Sequence, residues 1–170
     1  MSHRLPNTAV ILGVSGLIPF VAGAIATLSA NDEIRALFFV QLLIAYGAVI
    51  LAFLGGVHWG FVLEGPVLEG QAPLGLAVTT RRDTARLVGG VLPSLVGWAA
   101  LIVSLLGSPA AALAILIAGF VAFTATEAEL RRRTLVPAGY MWLRWGLSVV
   151  VVLVLATVLT LRLIGARIFF

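Results

Sequence analysis

The side chains able to do chemistry in this chain are few, and they cluster. His58 and Trp59 stand near the end of an uncharged run, Glu64 follows it, and Trp142, Arg144 and Trp145 open a later apolar run, with Glu127 and Arg131 to Arg133 shortly before. An imidazole exchanges a proton near neutral pH, a guanidinium holds anionic oxygens in a two-pronged grip, and indole rings suit both a small-molecule pocket and the aromatic belt of a bilayer. His58, Trp59, Arg144, Trp142, Trp145 and Glu64 are therefore candidates for a headgroup-binding site, taking a phospholipid phosphate or a quinone, with Arg144 paired to Glu64 or Glu127. Haem ligation by His58 across a symmetric dimer would use the same histidine. A plain interfacial anchor of belt tryptophans and snorkelling arginines accounts for the pattern with no ligand at all. No catalytic constellation emerges: zero cysteines exclude thiolate nucleophiles and disulfides, and two histidines, His3 and His58, fall short of a zinc set.

The elements that must position these residues are membrane helices. Of 170 residues, 61% are hydrophobic and 11% charged, a composition far from that of a soluble domain. All 11 basic side chains are arginine and most flank apolar runs, which fits membrane boundaries better than a nucleic-acid surface. Membrane lipids are the expected surroundings, and no nucleic-acid partner is expected. The uncharged run from Leu5 to Asn31 exceeds a signal-peptide core of roughly 7 to 15 residues, so a retained span is expected in place of a cleaved leader.

Residues 1–170 read as a single membrane domain, an all-α bundle of five transmembrane helices over about 8–28, 36–63, 85–106, 109–130 and 140–163. In the first, Pro19 predicts a kink that leaves the carbonyl of Ser15 free or shared. Asn31, Asp32 and Glu33 offer an N-cap and a favourable charge for the second. That second span, Ala36 to Leu63, has no formal charge and would be about 42 Å long as a helix, longer than a roughly 30 Å hydrocarbon core. The breaker-rich stretch after Leu63 predicts the longest loop. Thr80 and Asp83 have the spacing of a helix start. Gly107, Ser108 and Pro109 then divide an uncharged run too long for one crossing. The pairs Glu127 with Arg131 and Glu129 with Arg133 predict an exposed last turn for the fourth helix. Arg4, Arg81, Arg82, Arg86 and Arg131 to Arg133 on one side outnumber Arg35, Arg162 and Arg167 on the other, and Arg144 joins the richer side by snorkelling. The positive-inside rule then predicts an N-inside, C-outside chain.

Small residues mark where helices should approach. Gly13, Ser15, Gly16 and Gly23 leave small surfaces on the first span, and Gly56 with Gly60 forms a G-x-x-x-G pair that predicts a close seam on the second. His58 then points about 200° away from Gly56 around that helix. Gln41, the other strongly polar side chain deep in the second span, is expected to be satisfied by a neighbour.

Three strings carry a resemblance: LGVSGLIPF (Leu12 to Phe20), YGAVILAFLGGVHWG (Tyr46 to Gly60) and YMWLRWGLS (Tyr140 to Ser148). Over roughly Ala9 to Val158 the chain resembles the bacterial and mitochondrial family that includes transmembrane protein 69, domain of unknown function 3429. The resemblance implies a small multi-pass protein of the bacterial inner membrane, or the mitochondrial inner membrane if eukaryotic, with no settled activity. It singles out Gly16, Pro19 and Phe20, then Tyr46, Gly47, Phe53, Leu54, Gly55, Gly56, Trp59 and Gly60; with Gly23 from the small surface of the first span, Gly16, Pro19, Gly23, Tyr46, Gly47, Gly55, Gly56 and Gly60 are the candidate helix-packing residues. A different basic residue in relatives at the position of His58 favours hydrogen bonding or charge there over metal or haem, and Ala52 stands where the motif more often has serine. Three functions follow in order. The first is a non-enzymatic packing or assembly factor for an inner-membrane complex or homo-oligomer, and the second is quinone or lipid binding at the cytoplasmic interface. A small transporter is third, since no acidic residue lies deep in a span.

Overall fold

A computed structural model describes residues 7–63, 81–131 and 138–165. All the regular structure among these residues is α-helical: α1 (Asn7–Ser15), α2 (Ile18–Leu28), α3 (Glu33–Leu63), α4 (Arg81–Leu105), α5 (Pro109–Arg131) and α6 (Ala138–Leu163). Among the described residues four stretches are long and apolar enough to cross a bilayer, Val10–Leu28, Glu33–Val57, Pro109–Glu127 and Leu143–Leu163, and Gly89–Leu105 in α4 is a shorter apolar helix. The expected breaker-rich loop after Leu63 and the helix start at Thr80 lie outside the described residues, as does Arg167.

The first span is two helices and not one kinked helix. Pro19 has no amide proton to return to Ser15, and the chain responds by tightening: the amide of Leu17 donates to Val14 only three residues back, at 3.0 Å, before Val21 resumes the α pattern by donating to Leu17 at 3.1 Å. The carbonyl that a neighbour satisfies is that of Gly16, one residue beyond the expected Ser15. The hydroxyl of Tyr46 on α3 donates to it at 2.9 Å. Below the break, Phe20 is fully buried and meets Tyr46 edge-on at 5.0 Å and Phe120 of α5 at 6.3 Å, so one ring joins α2, α3 and α5.

Helix ends follow local chemistry. The carboxylate of Asp32 accepts from the amide of Arg35 at 2.8 Å, the N-cap geometry, and α3 starts at Glu33, three residues earlier than the apolar run suggested. Between α4 and α5, Gly107 has φ +94°, its amide donates to Ser104 and that of Ser108 to Val103, each at 3.1 Å. This is the Schellman closure of a helix C-terminus, and glycine takes its left-handed residue without strain. Pro109 then begins α5.

In the bundle, α4 lies antiparallel along α3 at a spacing set by absent side chains. A Cβ built on Gly55 would fall on the carbonyl oxygen of Gly90, and one on Gly97 would stand 2.9 Å from the carbonyl oxygen of Ala48. Gln41 and Ser104 complete the series: the serine hydroxyl donates to the Gln41 amide oxygen at 2.9 Å, and the Gln41 amide donates to the Ser104 carbonyl at 3.3 Å. Seven residues back along α3 match seven forward along α4 at each step, so two turns separate successive contacts. Within the chain, the seam therefore runs through Gly55 and not Gly56. Gly56 faces outward with nothing within 4 Å of where a Cβ would stand. The physical reason is the 100° turn per residue, which makes adjacent glycines serve different faces. Among the other small positions, Gly23 packs on Leu43 of α3, and Gly47 packs on Leu116 of α5. At the far end of the bundle from Arg144, Arg162 of α6 reaches Glu33 of α3 at 2.7 Å.

Candidate interfacial site

Of the headgroup candidates, Arg144 and Trp145 have described side chains, and both stand near the start of α6. Arg144, on the second turn of α6, is held by two other helices, α5 and α3. Its Nε donates to Oε2 of Glu127 on α5 at 2.8 Å, and its terminal Nη2 lies 2.7 Å from Oε1 of the same carboxylate, a fork-on-fork pair. The same Nη2 donates to the carbonyl of Leu54 on α3 at 3.3 Å. The guanidinium carbon lies 5.4 Å from the ring centre of Phe123, one turn before Glu127 on α5, within cation–π range. Desolvating two charges in this way is costly, and it is tolerated when the pair is close and its remaining valences are hydrogen-bonded.

This geometry corrects two expectations. Arg144 does not snorkel: its side chain is 7% exposed and is committed to Glu127, Leu54 and Phe123. Glu127 does not sit on an exposed last turn; its side chain is 8% exposed and faces α6. Seventeen residues of sequence separate the pair, and the return of α6 along α5 brings them together. The partners of Gln41, Ser104 and Tyr46 are equally non-local, and the facing rows Gly55, Ala48, Gln41 and Gly90, Gly97, Ser104 went unread, although each carries a signal in its seven-residue spacing.

The other candidates are distributed unevenly. His58, Trp59 and Gly60 lie on α3 and Trp142 on α6, but their side chains lie outside the described residues, and Glu64 lies outside them altogether. Trp145 follows Arg144 and lines a groove between α5 and α6, with Val121, Thr124, Ala125, Ser148 and Val149. That groove was not anticipated. Its signal is the coincidence of Ala125 on one helix with Ser148 on the other, short side chains at positions that face each other only once the helices are docked. Among the described residues no three His, Asp or Glu side chains gather as a metal set.

The family model described as "Protein of unknown function (DUF3429)" matches residues 5–160, from before α1 to near the end of α6. The chain belongs to this family. Among curated proteins, this DUF3429 chain is similar to Transmembrane protein 69 of Mus musculus, 37% identical over 99 residues, which is 58% of this chain and 35% of the mouse protein. It is also similar to Transmembrane protein 69 of Xenopus tropicalis, 36% identical over 97 residues, 57% of this chain and 33% of the frog protein. The matches thus span about a third of the length of these relatives. No solved structure matches the DUF3429 chain.

Proposed function

We propose that this DUF3429 protein is a non-enzymatic accessory factor of a bacterial or mitochondrial inner membrane, one that packs against a larger membrane complex or a further copy of itself and helps it assemble. The observation that carries this reading is how the buried polar side chains are spent. Gln41 with Ser104, Tyr46 with Gly16, and Arg144 with Glu127 each tie one helix to another. These three pairs work as helix-to-helix glue, which suits a scaffold. Gly56 and Gly146, by contrast, face outward with no atom within 4 Å of a built Cβ, and each lets a foreign helix approach its backbone closely.

Affinity purification in mild detergent tests the reading. The wild-type protein is expected to retain a defined set of membrane partners, and Gly56→Leu or Gly146→Leu to release them while leaving thermal stability unchanged. A protein that runs alone and monomeric in native membrane extracts contradicts it. The quinone- or lipid-headgroup alternative loses support at Arg144, whose guanidinium already grips Glu127, and it then rests on His58, Trp59 and Trp142.

A further inference from the structure

The crossing made by α1 and α2 is built into the bundle along only half of its length. Below the break, Phe20 and Thr27 of α2 are buried, Gly23 stands against Leu43, and the helix packs on both α3 and α6. Above it no described residue of α1 is buried, and Ile11, Leu12 and Val14 are 66%, 66% and 51% exposed. In hydrocarbon such an apolar surface gains little by docking, so close packing and polar contacts are what hold a helix in place. Among its described contacts α1 has one of each. A Cβ built on Gly13 would stand 3.0 Å from Leu147 and 3.8 Å from Leu143 of α6, and at the foot of α1 the Tyr46 hydroxyl holds the Gly16 carbonyl.

The junction between the two halves is suited to bending. Pro19 has no amide proton for the Ser15 carbonyl, and the short step from Leu17 to Val14 takes the place of the α pattern. α1 is closed off on its own side: the Leu12 carbonyl accepts from the Gly16 amide at 3.2 Å and from the Ser15 hydroxyl at 2.9 Å. Each half is therefore a complete helix. We propose that α1 is a hinged flap, swinging as a unit about Gly16 and Leu17 while α2 stays docked, with the Tyr46 hydroxyl as its latch. Hinges are a few residues at element ends that absorb the change of direction. Leu143 and Leu147, on which α1 rests, bracket Arg144, and Arg144 bridges α6 to α3 through the Leu54 carbonyl. A docked α1 thus walls one flank of the Arg144 site, and an open one bares that flank at the edge of the span that begins at Leu143. The inference stands apart from the accessory-factor reading, because the flap can move whether or not a partner docks at Gly56 or Gly146.

The chain has no cysteine, so introduced ones report alone. Spin labels on Thr8→Cys or Leu12→Cys in α1, or on Ile25→Cys in α2, are each paired with a label on Leu153→Cys of α6, and pulsed EPR measures the distances in lipid nanodiscs; all four positions are exposed. Thr8 and Leu12 stand about 14 Å and 8 Å along the helix from Leu17. A rigid swing therefore moves Thr8 nearly twice as far as Leu12 and leaves Ile25 in place. Tyr46→Phe, which loses the latch, should raise the swung population about threefold, the factor carried by an average interhelical hydrogen bond in a membrane. Gly13→Leu, which crowds Leu147, should also raise it, and Pro19→Ala, which restores a donor for Ser15, should narrow the α1 distances to one population. As a second readout, a lone Leu143→Cys should react with a water-soluble thiol reagent about threefold faster when Tyr46→Phe is added. Equal shifts at Thr8, Leu12 and Ile25 would mean that the whole crossing moves, and a change at Thr8 alone would mean that its end frays. Either result overturns the inference, as do distances unmoved by both Tyr46→Phe and Gly13→Leu in folded protein, or Leu143→Cys reactivity that Tyr46→Phe leaves unchanged.

Discussion

The α3–α4 and α5–α6 junctions solve one problem in opposite ways. In lipid, apolar side chains gain little by leaving the surrounding hydrocarbon, so helices associate through close packing or through polar contacts. α3 and α4 use closeness: Gly55 against Gly90 and Gly97 against Ala48 bring the backbones together, and nothing can enter between them. α5 and α6 use a charge pair, Glu127 with Arg144, and beside it the helices remain far enough apart to leave a groove. A seam of glycines therefore makes a rigid, ligand-free face. A single strong polar clasp leaves room for something else to complete the junction.

The comparison can be broken most sharply at the clasp. Arg144→Met or Glu127→Leu alone strands a buried charge, and each is expected to lower unfolding free energy by about 3 to 5 kcal/mol, read by equilibrium unfolding in bicelles. At the seam, Gly55→Val must displace the Gly90 carbonyl, a loss of about 1 to 3 kcal/mol. Gly56→Val, one residue away and facing outward, should leave the same curve unmoved; equal losses at the two glycines would show that the seam does not run where the structure places it. Smaller again, Gln41→Leu removes both hydrogen bonds to Ser104, and a drop of roughly 0.6 to 1.7 kcal/mol is expected in the same assay. Tyr46→Phe deletes only the hydroxyl that satisfies Gly16 at the α1–α2 break. Its cost should be the least, about 0.5 to 1 kcal/mol, and faster amide hydrogen exchange should be confined to the residues around that break.

Much of the architecture was legible because it depends on local chemistry. Pro19, Asp32 and the Gly107–Pro109 stop act on their own backbone within a few residues, so their effects can be read from the chain alone. Faces were harder to read. Gly56 and Gly60 form the more familiar spacing, yet Gly55 meets α4, and in a span apolar all around no hydrophobic stripe marks the inner side; Ile11, Leu12 and Phe53 face outward as freely as Leu51 faces in. Arg144 was misread as snorkelling for a related reason. A charged residue near a span end can reach water or find a buried partner; the sequence offered Arg144 both Glu64 and Glu127, and the docking of α6 on α5 brings it to Glu127 and buries the pair. The groove was illegible until that docking was known, since it is made of short side chains on two helices that are silent separately.

The central claim, that Arg144 is a structural clasp, is tested most directly by a double-mutant cycle on Arg144→Met and Glu127→Leu in bicelles. The account predicts that the double variant is far more stable than the two single losses together would make it, with a coupling of about 2 kcal/mol or more. Losses that add within about 0.5 kcal/mol would contradict it.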